Sequence, residues 1–70
     1  MIYIFAALYQ ELENLIKEYS LEAVNDSILR IWANDTITAV VTGVGKVNAG
    51  FAVGRVFALF PPDETSVLIN

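Results

Sequence analysis

Apolar runs alternate with amphipathic stretches along the chain, which is the pattern of an α/β protein. Residues 2–7, "IYIFAA", form a continuous apolar run typical of a strand buried on both faces. The apolar spacing then changes to that of a helix, with one stripe formed by Leu8, Leu12, Leu15, Ile16 and Tyr19. The pattern predicts a buried strand followed by a helix that covers a sheet.

The middle of the chain predicts an antiparallel hairpin. The turn formers Asn25-Asp26-Ser27 precede "ILRIWA", and Asn34-Asp35 separates this run from "TITAVVT". Asn and Asp tolerate the positive φ that a two-residue hairpin turn requires. We therefore place the turn at Asn34-Asp35.

A second helix is predicted from about Lys46 to Phe60, where Pro61-Pro62 ends it. It is apolar nearly all round, which predicts burial on two sides. Gly50 and Gly54 have the GxxxG spacing that allows close backbone approach, here on a sheet or on a neighbouring subunit. The closing "TSVLIN" predicts another short buried strand.

The composition limits what this domain can do alone. The chain has 70 residues, 56% of them apolar, against roughly 45–50% in typical soluble domains. It has no Cys and no His, which excludes disulfides and the usual structural zinc sites. The apolar excess indicates surface that something else covers, so the domain either oligomerises or is one piece of a larger fold.

The charges disfavour nucleic acid and membrane partners. Eight acidic residues outnumber four basic ones, which are scattered and form no basic stripe: Lys17, Arg30, Lys46 and Arg55. The apolar N-terminus lacks the positive region of a signal peptide, and the run around Arg55 is shorter than the roughly 20 residues of a membrane span. We expect a cytoplasmic protein.

Residues 42–50, "TGVGKVNAG", suggest a phosphate-binding loop but match neither known form. Gly43 and Gly45 are too close for a Walker A motif, and Asn48 stands where a dinucleotide fingerprint requires its third glycine. A strand, a glycine turn and a helix N-terminus remain. This arrangement can present backbone amides to a ligand or can simply turn the chain.

Glu11 is the other candidate because it follows the first strand, near the carboxyl end where open α/β sheets bind ligands. A carboxylate there can hold and deprotonate a water. It can equally be a solvated residue that satisfies the helix N-terminus. Gln10 and Glu13 compete for the same role.

Together these segments resemble a known family. "IFAALYQELENLI", "TAVVTGVGKVNAG" and "SVLIN", in this order, are similar to the N-terminal third of the nucleoside phosphorylase and nucleosidase superfamily, most of all to 5′-methylthioadenosine/S-adenosylhomocysteine nucleosidases. The resemblance implies that residues 1–70 form the N-terminal part of a three-layer α/β/α fold, with a mixed sheet, a central antiparallel hairpin and two helices. It implies a partial domain of a larger, commonly dimeric enzyme.

The resemblance also implies hydrolysis of the N-glycosidic bond of a purine nucleoside, without metal or organic cofactor. Glu11 then corresponds to the acid that positions the attacking water. Ala7 and Leu8 correspond to the turn that touches the ribose, and Val44 to the residue lining the pocket for the 5′ substituent. Without the later substrate-binding segments, the chain is expected to be inactive alone.

Departures from the family pattern leave alternatives. Tyr9-Gln10 replaces a more acidic pair, which leaves room for a futalosine-type hydrolase or a phosphorylase. Phosphorylases bind phosphate through arginines, and Arg30 and Arg55 fall in a strand and in a buried-looking helix, so a hydrolase is preferred. A noncatalytic interaction module, with the apolar helix as its dimer interface, is the alternative outside the superfamily.

Overall fold

A computed structural model describes residues 1–43 and 49–69 and shows a small α/β domain. It contains a mixed five-stranded sheet and two helices, which confirms the predicted class. In chain order the elements are β1 (Ile2–Ala6), a 3-10 turn (Tyr9–Glu11), α1 (Glu13–Glu18), β2 (Glu22–Val24), β3 (Arg30–Ala33), β4 (Ile37–Val41), α2 (Ala49–Leu59) and β5 (Val67–Ile69).

The strands are arranged in the order β2-β3-β4-β1-β5. β1 is parallel to both β4 and β5, whereas β2, β3 and β4 pair antiparallel in sequence. Since Ala6 pairs with Val41, the carboxyl ends of β1 and β4 meet at one end of the sheet. The amino end of β3 lies there too, because Arg30 also pairs with Val41. We call this end of the sheet the carboxyl rim.

The two helices pack on opposite faces of the sheet because side chains alternate along each strand. The α2 face buries Tyr3, Phe5, Leu29, Ile31, Val40, Ala52 and Val56. The α1 face buries Leu12, Ile16, Leu21, Ile37, Ala39 and Val41. The described residues therefore form three layers, with β1 and β4 contributing to both cores.

The predicted hairpin is confirmed, but its turn lies one residue later than expected. Asn34 N–H donates to the Ile37 carbonyl at 2.9 Å, so Asp35 and Thr36 form the loop. The Asn34 side-chain oxygen accepts the N–H groups of Thr36 and Ile37 at 2.8 and 2.7 Å. Among described non-glycine residues, a positive φ occurs at Ser20 instead. Asn34 thus acts through its side chain rather than through a left-handed backbone.

The predicted first helix is interrupted. Leu8 is extended, with φ −123° and ψ 144°, and the 3-10 turn precedes the six residues of α1. Leu12 and Ile16 are buried as expected, but Leu8 and Tyr19 lie outside the helix and are 46% and 48% exposed. The helix is therefore shorter than the apolar stripe that predicted it. β2 was not predicted, because its three residues carry too short a pattern.

The expected burial of α2 on two sides is wrong for this structure. Ala52 and Val56 are fully buried against the sheet, but Phe51 and Leu59 are 50% and 46% exposed. The helix ends at Leu59, close to the predicted stop, while its predicted start at Lys46 lies outside the described residues. No helix within the described ranges is long and apolar enough to cross a membrane.

The predicted burial of β5 is also wrong. Val67, Leu68 and Ile69 are 52%, 46% and 48% exposed. β5 is the last strand of the sheet and pairs with β1 alone. Its apolar residues therefore form an open surface beside the core.

An ion pair joins the loop before β3 to α2. Arg55 donates Nε–H and Nη2–H to the Asp26 carboxylate, the shortest contact being 2.6 Å, and the Asp26 side chain is only 4% exposed. The same carboxylate accepts the N–H groups of Ile28 and Leu29 at 3.1 and 2.7 Å. The Arg55 guanidinium, and next the Leu29 N–H, hold the pKa of Asp26 well below its ordinary value of 3.8.

We expect this ion pair to make stability depend on pH. Because the folded-state pKa of Asp26 is lowered, its contribution is complete above an unfolded-state pKa of about 4 and is lost as pH falls below that value. The urea midpoint of the Asp26→Asn variant should therefore be lower than that of the wild type near neutral pH. The two midpoints should converge in acid. An equal difference at every pH would contradict this assignment.

Candidate functional site

The carboxyl rim brings the two candidate segments of the sequence together. The backbone N–H and the hydroxyl of Thr42 donate to the Ala6 carbonyl at 2.8 and 3.2 Å, which ties the end of β4 to the end of β1. Gly43 follows with φ 86°, a left-handed conformation that favours glycine. The turn that carries Glu11 and the start of the glycine turn therefore leave the sheet side by side.

Glu11 ends the 3-10 turn, and its side chain is anchored by the backbone N–H of Leu8. Its carboxylate accepts the Leu8 N–H at 2.9 Å and so caps the turn that Leu8 begins. The side chain remains exposed. A carboxylate offers about four acceptor positions, and this contact uses one. Glu11 therefore satisfies the turn, as one sequence interpretation proposed, and retains acceptors that can hold a water.

The other predicted site residues lie along the same turn or outside the described ranges. Ala7 and Leu8 connect β1 to the 3-10 turn and are both exposed. They give the rim an apolar surface beside Glu11. Val44 lies outside the described residues.

Arg30 also lies at the rim, although its position in a strand argued against a role in phosphate binding. It is the first residue of β3, and its side chain is exposed. Its guanidinium carbon is 5.3 Å from the centroids of the Tyr9 and Trp32 rings, which are 5.2 Å from each other. The position of Arg30 at the rim could have been predicted from the hairpin register. A tight turn near Asn34 pairs Arg30 with Val41, the last residue of β4.

Arg55 does not belong to this cluster, and its guanidinium is already bound to Asp26. Both of its contacting nitrogens donate to Asp26, whose carboxylate also caps the loop before β3. A guanidinium held in this way maintains the position of α2 against the loop. Of the two arginines, Arg30 is therefore the one available to a ligand at the rim.

A cavity of about 210 Å³ lies elsewhere. It is lined by Ser20, Glu22, Ala33, Asn34 and Asp35, at the turn between β3 and β4. This turn is at the opposite end of β4 from the carboxyl rim. None of Ala7, Leu8 and Glu11 lines it, so the cavity does not belong to the predicted site.

The rim residues therefore define the candidate site: an anchored carboxylate, an exposed apolar turn and an arginine held by two aromatic rings. Within residues 1–43 and 49–69, no three acidic side chains converge in a way that could bind a metal ion. Comparisons of the chain with protein-family profiles, with curated proteins and with solved structures found no match.

Proposed function

We propose that the chain is part of a purine nucleosidase that hydrolyses the N-glycosidic bond of nucleosides of the 5′-methylthioadenosine or S-adenosylhomocysteine type. One observation carries the proposal: the parallel pairing of Ala6 with Val41 sets the turn bearing Glu11 beside Gly43. Ligands of open α/β sheets bind outside the carboxyl ends of the strands. The sequence resemblance implies the same use of these two segments.

Glu11 has a defined task in this reaction. Water attacks the anomeric carbon of the ribose, the bond to the purine nitrogen breaks, and the purine leaves with a proton. The Glu11 carboxylate holds the water and accepts its proton, while Leu8 N–H keeps the carboxylate in place. Protonation of the purine needs a second group at the same time, which one carboxylate cannot supply. We place that group outside residues 1–70, so the chain alone is inactive.

The fold supports a partial domain of the nucleoside phosphorylase type. α1 and α2 cover opposite faces of a mixed sheet, as a three-layer fold requires. The exposed apolar residues of β5 and the outer side of α2 are surfaces that further segments and a second subunit cover in the complete, dimeric enzyme.

A product assay tests the proposal. The protein expressed from the complete gene is incubated with 5′-methylthioadenosine with and without inorganic phosphate. Release of adenine and free methylthioribose without phosphate supports a hydrolase. A requirement for phosphate, with a sugar phosphate as product, identifies a phosphorylase instead. Absence of cleavage under both conditions contradicts the proposal.

The exposed apolar surface favours a second candidate, a noncatalytic interaction module. Three consecutive β5 residues and two α2 residues are about half exposed, and large exposed apolar side chains can mark an interface. Association of the chain through α2 would then bring another backbone against its small residues. The candidate predicts a stable dimer of the 70-residue chain and no cleavage of nucleosides by the complete protein.

Gly54 in α2 provides a test of that interface. Beyond the surrounding backbone of α2, a Cβ added at Gly54 meets no heavy atom within 4 Å. Glycine in a helix interior costs about 0.5–1 kcal/mol relative to alanine, so Gly54→Ala should raise the Tm of the monomer by about 2–8 °C. Thermal unfolding and sedimentation of the two chains check this. A lower Tm together with weaker dimerisation would show that another backbone packs against Gly54.

A further inference from the structure

The Arg30 guanidinium forms no ion pair with any of the residues that the structure describes. Among the described lysine and arginine side chains, Lys17 lies 3.5 Å from Glu13 and Arg55 lies 2.6 Å from Asp26. Arg30 makes no such ion pair within the described ranges, although acidic residues outnumber basic ones by eight to four. A cation left unpaired in an acidic chain is available for an anion from outside.

Two aromatic side chains position this cation. Tyr9 and Trp32 each place a ring centroid 5.3 Å from the guanidinium carbon, within the range of a cation–π contact. These contacts limit the conformations of a long side chain without using its N–H groups as donors to an acceptor oxygen. The guanidinium therefore keeps a planar set of donors that matches the two oxygens of a carboxylate or phosphate.

The position of Arg30 connects it to the proposed reaction site. Tyr9 belongs to the same 3-10 turn as Glu11, and Arg30 pairs with Val41, the last residue of β4. The cation thus lies at the carboxyl rim, next to the turn that bears the proposed water-binding carboxylate. Arg30 therefore contacts, through Tyr9, the turn that ends at Glu11.

We propose that Arg30 binds an oxyanion at the carboxyl rim, either the carboxylate of an amino-acid-type 5′ substituent or inorganic phosphate. This inference rests on the proposed function and specifies its substrate class. The two sources share one chemistry, which is bidentate hydrogen bonding to a guanidinium. They differ in consequence, since the first selects a nucleoside whose 5′ substituent carries a carboxylate and the second supplies a phosphate site.

Trp32 can report binding because it contacts Arg30, and it is the single tryptophan of residues 1–70. A Trp32→Phe variant of the protein from the complete gene identifies the part of the fluorescence signal that comes from Trp32. The protein from the complete gene is titrated with phosphate, with S-adenosylhomocysteine and with 5′-methylthioadenosine, while tryptophan fluorescence is followed. If the anion is a carboxylate, S-adenosylhomocysteine binds about 10–100-fold more tightly than the uncharged 5′-methylthioadenosine. If it is phosphate, phosphate alone gives a saturable change.

Substitution of Arg30 decides between a binding role and a purely structural one. Arg30→Gln should abolish the preference for S-adenosylhomocysteine or the response to phosphate, whichever the wild type shows. Arg30→Lys should retain part of either effect, because lysine keeps the positive charge but lacks the planar pair of N–H donors. Lys17→Gln, which removes another exposed cation, should leave both effects unchanged. The inference is overturned if Arg30→Gln binds all three ligands as the wild type does.

The fluorescence titration separates this inference from the proposed function. Loss of anion binding in Arg30→Gln, in a protein that cleaves no nucleoside, supports the anion site and contradicts the nucleosidase. Nucleoside cleavage by the wild type, with ligand preferences that Arg30→Gln leaves intact, supports the nucleosidase and overturns the anion site. Circular dichroism of each variant confirms that the exposed substitutions leave the fold unchanged.

Discussion

Glu11→Gln in the protein from the complete gene is expected to lower kcat for nucleoside hydrolysis by about 10²–10⁴-fold. In the wild type the Leu8 N–H donates to the Glu11 carboxylate at 2.9 Å. Glutamine keeps a side-chain oxygen that can accept this N–H, so the 3-10 turn should persist. It lacks the carboxylate that takes a proton from the attacking water. The rate of purine release at saturating substrate measures the effect, and KM should change little because the apolar turn is retained.

Glu13→Gln is the matched control. Glu13 is the neighbouring acid, at the start of α1, and its carboxylate lies 3.5 Å from the Lys17 ammonium on the exposed side of the helix. Surface pairs of this kind contribute little, so the variant should keep its activity within about twofold of the wild type. If both variants lost the same activity, the loss would result from the negative charge of this segment rather than from a specific role of Glu11. Full activity in Glu11→Gln would remove Glu11 from the reaction.

Tyr3→Ala is expected to remove a large share of the stability of the 70-residue chain. Tyr3 is 1% exposed, its ring packs edge-on against Phe57 at 4.9 Å, and its hydroxyl donates to the Phe60 carbonyl at 2.7 Å. Removing a buried aromatic side chain costs about 3–5 kcal/mol. A chain of this size has roughly 3.5–10 kcal/mol of total stability at about 0.05–0.15 kcal/mol per residue. Urea unfolding followed by circular dichroism measures the loss.

Two variants separate the components of this effect. Tyr3→Phe keeps the ring and removes the hydrogen bond to Phe60, which should cost about 1–2 kcal/mol. Tyr19→Ala tests an aromatic side chain that is 48% exposed, and it should change stability by about 0.5 kcal/mol or less. If Tyr3→Ala were no more destabilising than Tyr19→Ala, the α2 face of the sheet would not be the core described above.

Local pattern was sufficient to predict the fold class and most of the elements. β1, the hairpin and the end of α2 follow from residues that are neighbours in sequence, such as the apolar run of β1 and the prolines after Leu59. Burial was harder to predict, because it depends on what covers an element. Phe51 and Val67 carry the same apolar signal as core residues and are nonetheless about half exposed.

The candidate site was predictable in part. The place of Glu11 after β1 was read from the sequence, but its hydrogen bond to Leu8 N–H depends on the break between the 3-10 turn and α1. The contact of Arg30 with Tyr9 joins two segments separated by α1 and β2. Contacts of this kind follow from strand order and register, which composition and periodicity do not specify.

The placement of β1 between β4 and β5 has a consequence for how the chain acquires its structure. β1 pairs with β4 through Ile2 and Ile37 and with β5 through Ile2 and Val67, so both of its neighbours are distant in sequence. The β3–β4 hairpin, by contrast, needs only adjacent residues. Closing long loops is slow relative to closing short ones. The hairpin is therefore the natural nucleus, and β1 remains exposed to unwanted association until it docks.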